Sequence, residues 1–580
     1  MIKHSIKYYL IGVFLLSFAV QVNAQNNYEL KYSVNDQPKF NKKSIDINTV
    51  FKDSLSLEKE LTLLILKFQI IGFPEVEIDT IIREEKKVNV IINAGNQYKW
   101  GILNTDNNYW ANLPNISYKS KDFDSKNFNY LELQNLFKEI ITSLENTGYP
   151  FASVKLDHIT IINNTINANL IINKRSLIRI DTIILSEFSK IKLSYIEQYL
   201  GINIGDAYNE SRINEISEQL NRLEICQPFK PSEINFKDNK ASIYLHLKEK
   251  KGNLFNGIIG FQPNSNNSNT LQLTGQINLK LTNAFQHGES VGIYWESLGN
   301  NSQKLKANFQ YPYLLNSPFG IGYSIKLDKR DSSFLNINNR PSIQFALKGL
   351  NYLSVYGVFF QSNTLGSAEN INPSTGLIDM HSNSFGFEIL FNKLDYTFNP
   401  RKGFYIKANT DIGYKYYDER SDVNPIVYDS IPTKEIKLAA KVDFRIFIPI
   451  FRRQTLRVAN SFAIIQSNNT MKNELYRIGG FKILRGFDEQ SIFSSSYNVF
   501  SLEYRYLLDQ NAYLGAFWDF GSVINTNNFN NLDIYNGFGF SFSFASKAGI
   551  FNLAYALGKT NNESILFKNS KIHFGYSALF

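Results

Sequence analysis

The sequence predicts α+β repeats followed by a C-terminal, sixteen-stranded, antiparallel transmembrane β-barrel. Two observations carry this prediction. A pattern of helix and strands recurs about every 75–80 residues in the first 251 residues. From residue 253 to the end, short segments alternate apolar residues with small or polar ones. A chain of 580 residues is also too long for one ordinary domain, so several units are expected.

The composition is typical of an exported chain that does not depend on disulfides. Phe (46) and Tyr (33) are abundant, whereas Cys226 is the single cysteine. One cysteine excludes both an intramolecular disulfide and a cysteine metal cluster, and we expect Cys226 to be a small buried thiol. The net charge of +9 is spread along the chain, so nothing in it indicates nucleic-acid binding.

The first 24 residues are predicted to be a signal peptide. Lys3 and Lys7 precede an apolar run over residues 8–20, and the run is followed by Val22-Asn23-Ala24. A charged start, a short apolar run and a small residue at the cut are typical of such a peptide. The run is too short to span a bilayer, and no later segment approaches eighteen consecutive apolar residues. We therefore expect export with cleavage after Ala24 and no transmembrane helix. No cysteine follows the cut, so a lipoprotein is not expected.

The arm is predicted to contain three small α+β units, over residues 25–96, 97–175 and 176–251. In each unit an amphipathic helix is combined with strands in which apolar and polar residues alternate. Gly72 and Gly148 follow the first two helices and supply a left-handed stop. The elements expected in these two units are a helix from Leu57 with strands 76–81 and 88–92, and a helix 131–144 with strands 152–161 and 165–172. The opening strand of the first unit is poorly marked, so its completeness stays open.

The third unit has the fullest pattern, which reads strand–helix–helix–strand–strand. Its expected elements are strand 179–185, helices 193–200 and 212–223, and strands 232–236 and 241–247. The stretch 201–209 joins the helices and reads Gly-Ile-Asn-Ile-Gly-Asp-Ala-Tyr-Asn. This stretch resembles the polypeptide-transport-associated (POTRA) domain, and the resemblance implies an arm of POTRA repeats. Three unrelated α+β domains remain the alternative.

The sheet edges of such units suggest what the arm does. An unpaired strand edge can accept an extended client through main-chain hydrogen bonds, without demanding a particular sequence. We therefore expect a chaperone-like or docking role for the arm.

The barrel is predicted over residues 252–580. Phe538, Phe540, Phe542 and Phe544 alternate with glycine and serine, as expected when one strand face meets lipid and the other meets the lumen. Sixteen segments follow this pattern, near residues 254–262, 270–281, 288–298, 303–312, 318–328, 333–347, 351–361, 383–393, 403–414, 434–448, 453–466, 497–508, 511–520, 535–545, 549–557 and 570–580.

The lengths of the connections predict an orientation. Connections after even-numbered segments tend to be short, as at 449–452, 509–510 and 546–548. Long connections follow odd-numbered segments, at 362–382, 415–433 and 467–496. Outer-membrane barrels have short periplasmic turns and long extracellular loops. The arm leads into the short-turn side, so we expect it to lie in the periplasm.

Three motifs carry a resemblance to a family. The long loop before the twelfth segment contains Leu484-Arg485-Gly486-Phe487, and the thirteenth segment contains Phe517-Trp518-Asp519-Phe520-Gly521. Before the ninth segment stands Asp395-Tyr-Thr-Phe-Asn-Pro-Arg-Lys-Gly403. Together these resemble the outer-membrane protein assembly superfamily of BamA, TamA and the two-partner secretion transporters, with a POTRA arm and a barrel of surface-antigen type. The resemblance implies that Arg485 meets Asp519 and Glu503.

The alternation supports that contact independently. If Tyr504 and Trp518 face lipid, then Glu503 and Asp519 face the lumen, where a loop arginine can reach them. An arginine fork fits a carboxylate in a bidentate pair, which is stronger when it is partly removed from water. We therefore predict a loop-to-barrel lock formed by Arg485, Gly486, Phe487, Glu503, Asp519 and Gly521. Ordinary solvated lumen charges are the alternative.

A seam is implied between the first and last barrel segments. By the resemblance, it would open, thin the local bilayer and template an incoming strand. Gly575 and Phe580 are the residues singled out in the last segment. Gly575 permits a kink there, since glycine weakens a strand interior. A small residue that simply faces the lumen explains it equally well.

The predicted function is assembly of proteins into, or translocation across, the outer membrane. The resemblance implies unfolded outer-membrane or secreted proteins as partners, together with outer-membrane lipids, and leaves periplasmic and lipoprotein partners open. No metal, cofactor or nucleic acid is expected. The six histidines have no metal-ligand spacing, and neither a Gly-x-Ser-x-Gly elbow nor a phosphate loop is present, so an enzyme is not expected. The alternatives are a TamA-like factor, an exporter of one dedicated client and a passive porin.

Overall fold

The structure is a computed structural model, and the chain in it divides into two compact units. The first comprises residues up to Arg179 with Ala207–Arg212, and the second comprises Ile180–Asp206 with Ile213–Phe580. The predicted signal peptide lies outside the described residues. The structure describes residues 28–36, 45–105, 113–186, 190–223, 225–250, 252–264, 267–299, 302–331, 333–347, 349–366, 376–396, 399–429, 431–524, 532–546, 549–561, 567 and 570–579. Among the described helices, none is both long enough and apolar enough to cross a membrane.

The first sheet of the arm covers one face of a helix. Its elements are β1 (Tyr28–Val34), β2 (Val50–Phe51), α1 (Ser54–Ile70), β3 (Glu77–Glu84) and β4 (Lys87–Asn93). The sheet order is β2-β1-β4-β3, and β1 runs parallel to β4. Helix α1 begins after Asp53, whose carboxylate accepts a hydrogen bond from the Ser56 N–H at 2.7 Å. Leu57, Leu61 and Leu64 recur at helical spacing and are buried against the sheet residues.

The second sheet repeats the arrangement. Its elements are β5 (Lys99–Thr105), α2 (Tyr130–Glu145), β6 (Ser153–Ile162) and β7 (Thr165–Asn173), with the sheet order β5-β7-β6. Asn129 caps α2 by accepting hydrogen bonds from the Leu131 and Glu132 N–H groups. Strands β1, β2 and β5 were not predicted. In β5, Gly101 and a bulge between Trp100 and Leu103 interrupt the alternation by which a strand is recognised.

The third set of arm elements lies largely in the second compact unit. These elements are β8 (Arg179–Leu185), α3 (Leu193–Leu200), α4 (Glu210–Asn221), β9 (Cys226–Pro228), β10 (Glu233–Lys237), β11 (Lys240–Leu245) and β12 (Leu247–Glu249). They form a three-stranded sheet, β10-β11-β8, and a two-stranded sheet, β12-β9. Helix α3 ends at Gly201 because that residue has φ +65°. Burial raises the pKa of the Cys226 thiol to about 12, which makes it unreactive.

Helix α3 packs on the turns at one end of the barrel. The Tyr199 carbonyl accepts a hydrogen bond from the Gly349 N–H at 3.1 Å, and the Tyr195 ring meets the Tyr313 ring edge-on at 5.3 Å. Gly288 lies under the same helix with φ +76°, and a Cβ there would come within 1.9 Å of the Tyr195 ring. Only glycine fits this position, so the close docking of α3 is fixed by the turn sequence.

The barrel contains sixteen antiparallel strands, which confirms the predicted fold class. Its strands are β13 (Leu254–Asn264), β14 (Asn267–Thr282), β15 (Ser290–Gly299), β16 (Ser302–Tyr311), β17 (Phe319–Arg330), β18 (Phe334–Ala346), β19 (Tyr352–Thr364), β20 (Met380–Asn392), β21 (Gly403–Tyr417), β22 (Lys434–Phe451), β23 (Gln454–Gln466), β26 (Ser496–Asp509), β27 (Ala512–Ile524), β28 (Leu532–Ala545), β29 (Ile550–Thr560) and β30 (Lys571–Leu579). The remaining two, β24 (Tyr476–Ile478) and β25 (Ile492–Ser494), form a separate hairpin.

The sequence predicts short connections after even-numbered barrel strands and long ones after odd-numbered strands, counted from β13. This difference holds for part of the barrel. From β19 onward, the long connections are 365–379, 418–433 and 467–495, and the short ones include 452–453 and 510–511. Among the first six strands the difference is reversed. There, the connections after odd-numbered strands are the shorter ones, at 265–266, 300–301 and 331–333. The predicted parity was therefore wrong for this part of the barrel.

Candidate functional site: a loop anchored inside the barrel

The longest connection, residues 467–495, folds back into the barrel lumen. Its hairpin β24–β25 is held by an apolar cluster in which Leu484 is fully buried. The loop side chains Ile478, Leu484 and Ile492 pack in this cluster against residues of the barrel wall. The wall residues are Ala463, Tyr497, Val499 and Val523. Apolar burial therefore helps to hold the loop against the barrel wall.

Arg485 lies at the centre of a buried ion cluster. Its Nε donates to Asp519 Oδ2 at 2.8 Å and its Nη2 donates to Asp519 Oδ1 at 2.7 Å. Its Nη1 donates to Glu503 Oε2 at 3.0 Å. The Arg485 N–H also donates to Asp519, at 3.1 Å. The guanidinium carbon lies 3.5 Å above the centre of the Phe517 ring. The fork is therefore bidentate on Asp519, with one further bond to Glu503.

The two carboxylates are saturated by groups of the barrel wall. Glu503 also accepts from Arg505 Nε at 3.1 Å and from Ser541 Oγ at 3.0 Å. The Arg457 guanidinium lies 3.6 Å from Glu503, and Ser501 Oγ donates to Asp519 at 2.7 Å. Glu503 and Asp519 are only 2% and 1% exposed. Burying such charges is tolerated only because each oxygen has partners.

Glycine is required at the loop tip by close backbone contact. Gly486 has φ +95°, and a Cβ there would lie 2.8 Å from the Leu557 carbonyl oxygen. Gly521 is adjacent to Leu484, whose Cδ2 would lie 3.3 Å from an added Cβ. Phe487 meets Tyr535 edge-on at 5.2 Å. The structure therefore brings together all six residues that the sequence placed in the lock.

The third motif reaches the same cluster. Asp395 Oδ1 accepts from the Arg401 N–H at 3.0 Å, and Gly403 follows with φ +107°. Between them, Asn399 accepts a hydrogen bond from Arg505 Nη1 at 3.2 Å. Since Arg505 also binds Glu503, the three motifs meet in one network.

A second charged cluster holds the loop before it reaches the tip. Glu474 accepts from Lys415 Nζ at 2.7 Å and from Lys437 Nζ at 2.8 Å. Lys415 is fully buried and also lies 2.7 Å from Glu435. The neighbouring Asn473 donates to the Ser362 hydroxyl at 2.7 Å. Sequence reasoning missed this cluster. The available signal was the inward position of Lys415 and Lys437 on strands with lipid-facing neighbours.

The seam between the first and last strands is short. In the described residues, β13 pairs with β30 through Leu254–Leu579 and Phe255–Ala578, whereas β29 pairs with β30 over seven residues. The Asn256 amide adds one bond to the Tyr576 carbonyl, at 2.9 Å. A backbone hydrogen bond contributes about 0.5–1.5 kcal/mol net in water, so two pairs hold the seam much less firmly than seven.

The residues singled out in β30 have different outcomes. Gly575 lies in the strand opposite Asn552, and an added Cβ there would lie 3.3 Å from the Phe481 ring of the loop. Phe580 lies outside the described residues. On the same strand, His573 Nε2 accepts from the Gly486 N–H at 3.2 Å, and Lys571 pairs with Asp488 at 2.7 Å. The loop tip thus touches the strand that closes the barrel.

The part of the chain that the structure describes contains no candidate metal-binding site. There, no three His, Cys, Asp or Glu side chains are placed to hold a metal ion. The carboxylates of the lock are occupied by arginines and hydroxyl groups instead.

Comparison with known proteins decides the family. The model of the Omp85 superfamily domain matches residues 283–580, which is more than half of the chain. The chain belongs to the Omp85 superfamily. It is therefore an outer-membrane barrel of the class that inserts or transports proteins, and its N-terminal region is POTRA-like.

Several solved structures are similar to this Omp85 chain at low identity. BamA from Haemophilus ducreyi lacking POTRA domains 1–3 is 16% identical, with 83% of this chain and 100% of that chain covered and a TM-score of 0.43. CdiB from Acinetobacter baumannii is 13% identical, with coverages of 82% and 86% and a TM-score of 0.49. CdiB from Escherichia coli is 13% identical, with coverages of 91% and 98% and a TM-score of 0.49. No curated protein sequence matches the chain.

Proposed function

We propose that this Omp85 protein captures unfolded outer-membrane or secreted proteins with its arm and templates them at the barrel seam. The short β13–β30 pairing is the observation that carries the proposal. An opened seam would expose two strand edges in the membrane, where unpaired main-chain groups cost several kcal/mol each and so favour pairing with a client strand. Outer-membrane lipids are then the second partner, because the opening lies in the bilayer.

The arm is proposed to lie in the periplasm as three POTRA units, 25–96, 97–175 and 176–251. Its edge strands support client capture. Strand β3 lies at the edge of the first sheet with Ile81 and Ile82 exposed, and β6 lies at the edge of the second with Ile159 and Ile161 exposed. An edge with exposed apolar side chains suits an extended apolar client, which adds a strand to the sheet.

The loop is proposed to brace the barrel wall rather than to perform chemistry. Arg485 reaches strands β26 and β27 through Glu503 and Asp519, and the surrounding residues exclude water. The carboxylates have no free oxygen positions suited to acid–base work, since arginine and serine groups occupy them. We accordingly propose that the chain is not an enzyme.

Depletion of the protein tests the function. We expect many outer-membrane barrels to fall in abundance, measured by proteomics of the outer-membrane fraction. Restoration requires the intact gene and fails with a copy that lacks residues 25–250. Loss of a single secreted protein would instead indicate a dedicated exporter, and no loss at all would indicate a passive pore. Either of those results would contradict general assembly.

A disulfide across the seam tests templating directly. Phe255 and Ala578 are directly opposed, so their Cα atoms lie about 4.5–5.5 Å apart, within the span of a disulfide. We expect the Phe255→Cys/Ala578→Cys variant to insert clients only under reducing conditions, as read from the folded fraction of newly made barrels. Cys226 does not compete, because it is buried and its pKa is raised.

The matched control places the same bond inside the barrel wall. Ile321 and Ile343 are directly opposed on β17 and β18 and, like Phe255, are exposed on the outer face. The Ile321→Cys/Ile343→Cys variant is expected to insert clients equally well oxidised and reduced. If the oxidised seam variant does the same, the seam does not open during function.

A further inference from the structure

The lumen opposite the lock carries an excess of positive charge. Two cavities lie inside the barrel, with volumes of about 580 and 240 Å³. Strands β16 to β22 supply most of their lining, and the larger cavity is also lined by the loop 467–495 and by Ile465 and Tyr497. The cations that line them are Lys304, Lys306, Lys326, Arg340, Lys407, Lys437, Lys441 and Arg477. The carboxylates that line them are Asp328, Glu388, Asp411, Asp443 and Glu474. Among these lining residues, the cations therefore exceed the carboxylates by three.

The excess is concentrated on two neighbouring strands. Lys306 of β16 stands directly opposite Lys326 of β17, and Lys304 is the next inward residue on β16. We call Lys304, Lys306 and Lys326 the lysine wall. Like charges directly opposed across a strand pair destabilise the sheet. Such a pair persists without cost only when another group offsets the repulsion.

The nearby carboxylates are already committed elsewhere. Asp328 lies 3.8 Å from Lys326 but only 2.8 Å from Arg330, which draws it away from the wall. Glu388 accepts from Arg340 at 2.7 Å and from Tyr352 at 2.8 Å, and it lies 3.2 Å from Lys407. Lys304 has Glu296 and Asp328 directly opposite it on the two adjacent strands, whereas Lys306 stands opposite Tyr294 and Lys326. The uncompensated charge of the wall therefore lies mainly on the Lys306–Lys326 pair.

Lys306 shows this imbalance most clearly. In the part of the chain that the structure describes, it has no carboxylate within ion-pair distance. The cations Arg340 and Lys407 line the same cavity as Lys306. A residue in such surroundings is a ready ligand for an anion.

The smaller cavity has the donors that an oxyanion needs. Lys306, Arg340 and Lys407 supply charged N–H groups, and Asn308 and Ser342 line the same space. Arginine and lysine both bind phosphate-type oxygens, the first through its fork and the second as a point charge. A dianion would offset most of the excess of three positive charges.

We propose that the lysine wall and Arg340 form a binding site for a small multivalent oxyanion of the phosphate class, taken from the water of the lumen. The site is separate from the Arg485 cluster, which uses strands β26 and β27. Binding would stabilise the folded barrel, because it relieves the repulsion only in the folded state.

The test measures the temperature at which the refolded, full-length protein loses its heat-modifiable mobility on gels. Sodium phosphate is titrated against sodium chloride at equal ionic strength, in a maltoside detergent that carries no phosphate of its own. We expect phosphate to raise the midpoint of the wild type progressively. The Lys306→Gln/Lys326→Gln variant should start from a higher midpoint without phosphate and lose the phosphate response, because its repulsion has already been removed.

The control removes two exposed arm lysines instead, in Lys86→Gln/Lys119→Gln. This variant should respond to phosphate as the wild type does. Phosphate also stabilises proteins generally by exclusion from their surface, but that effect is shared by all three proteins and cancels in the comparison. An equal response in all three, or none in the wild type, would overturn the proposal.

Discussion

Replacing Arg485 by alanine is expected to impair function and to lower sharply the temperature at which the folded barrel converts to the slower-migrating form on gels. The change removes the partner of two carboxylates that are almost completely buried. Removing one member of a buried, hydrogen-bonded ion pair costs about 3–5 kcal/mol, mainly because the remaining charge stays buried without its partner. Function is measured by client insertion in cells depleted of the native protein.

Two further variants separate the contribution of the fork from that of the charge. Arg485→Lys keeps the charge but loses the bidentate geometry on Asp519, so we expect an intermediate midpoint. Arg452→Ala removes an exposed arginine from the short connection between β22 and β23 and should leave both readouts unchanged. If Arg485→Ala is indistinguishable from the wild type in midpoint and insertion, the loop is not locked by this cluster.

Glu474→Gln is expected to have the second-largest effect. Its carboxylate holds Lys415 and Lys437 together, and an uncharged amide cannot balance them. Lys415 is fully buried and retains Glu435, the Ser467 hydroxyl and the Asn469 carbonyl as partners, so we expect a loss of about 3 kcal/mol, at the lower end of the range for a broken buried pair. The conversion temperature on gels and protease cleavage within residues 467–495 measure the result.

The double variant with Arg485→Ala tests whether the two clusters act independently. Losses at sites without shared partners add, whereas coupled sites deviate from the sum by 0.5 kcal/mol or more. We expect addition, because the Glu474 cluster uses β21 and β22 while the Arg485 cluster uses β26 and β27. Glu419→Gln, at an exposed position after β21, is the control and should leave the midpoint unchanged. A Glu474→Gln midpoint equal to that of the control would exclude an anchoring role.

The barrel strands could be predicted because the alternation that marks them is local. Phe538 to Phe544 shows which face meets lipid without any knowledge of the neighbouring strand. Strands β1, β2 and β5 could not be found in this way. Strand β2 has two residues, and β5 is interrupted at Gly101, so partners distant in sequence define both.

The two charged clusters that hold the loop, around Arg485 and around Glu474, could be predicted to different degrees. Strand parity turns Glu503 and Asp519 inward, but their meeting with Arg485 followed from the family resemblance, because no periodicity reports where a loop tip lies. Neither strand parity nor the family resemblance indicated the Glu474 cluster. Its members come from two strands and an irregular loop, and only the folded loop brings Glu474 to Lys415.

The bond from Gly486 to His573 makes the two sides of the seam mechanically unequal. Strand β30 is tied to β29 by a ladder of seven pairs and to the loop tip through His573 and Lys571. Strand β13 has its own ladder with β14 but no such tie to the loop among the described hydrogen bonds and ion pairs. If the seam opens as proposed, we expect β30 to stay in place as a fixed edge while β13 carries most of the displacement. An incoming strand would meet the rigid edge of β30 on one side and the more compliant edge of β13 on the other. This asymmetry would give its insertion a direction.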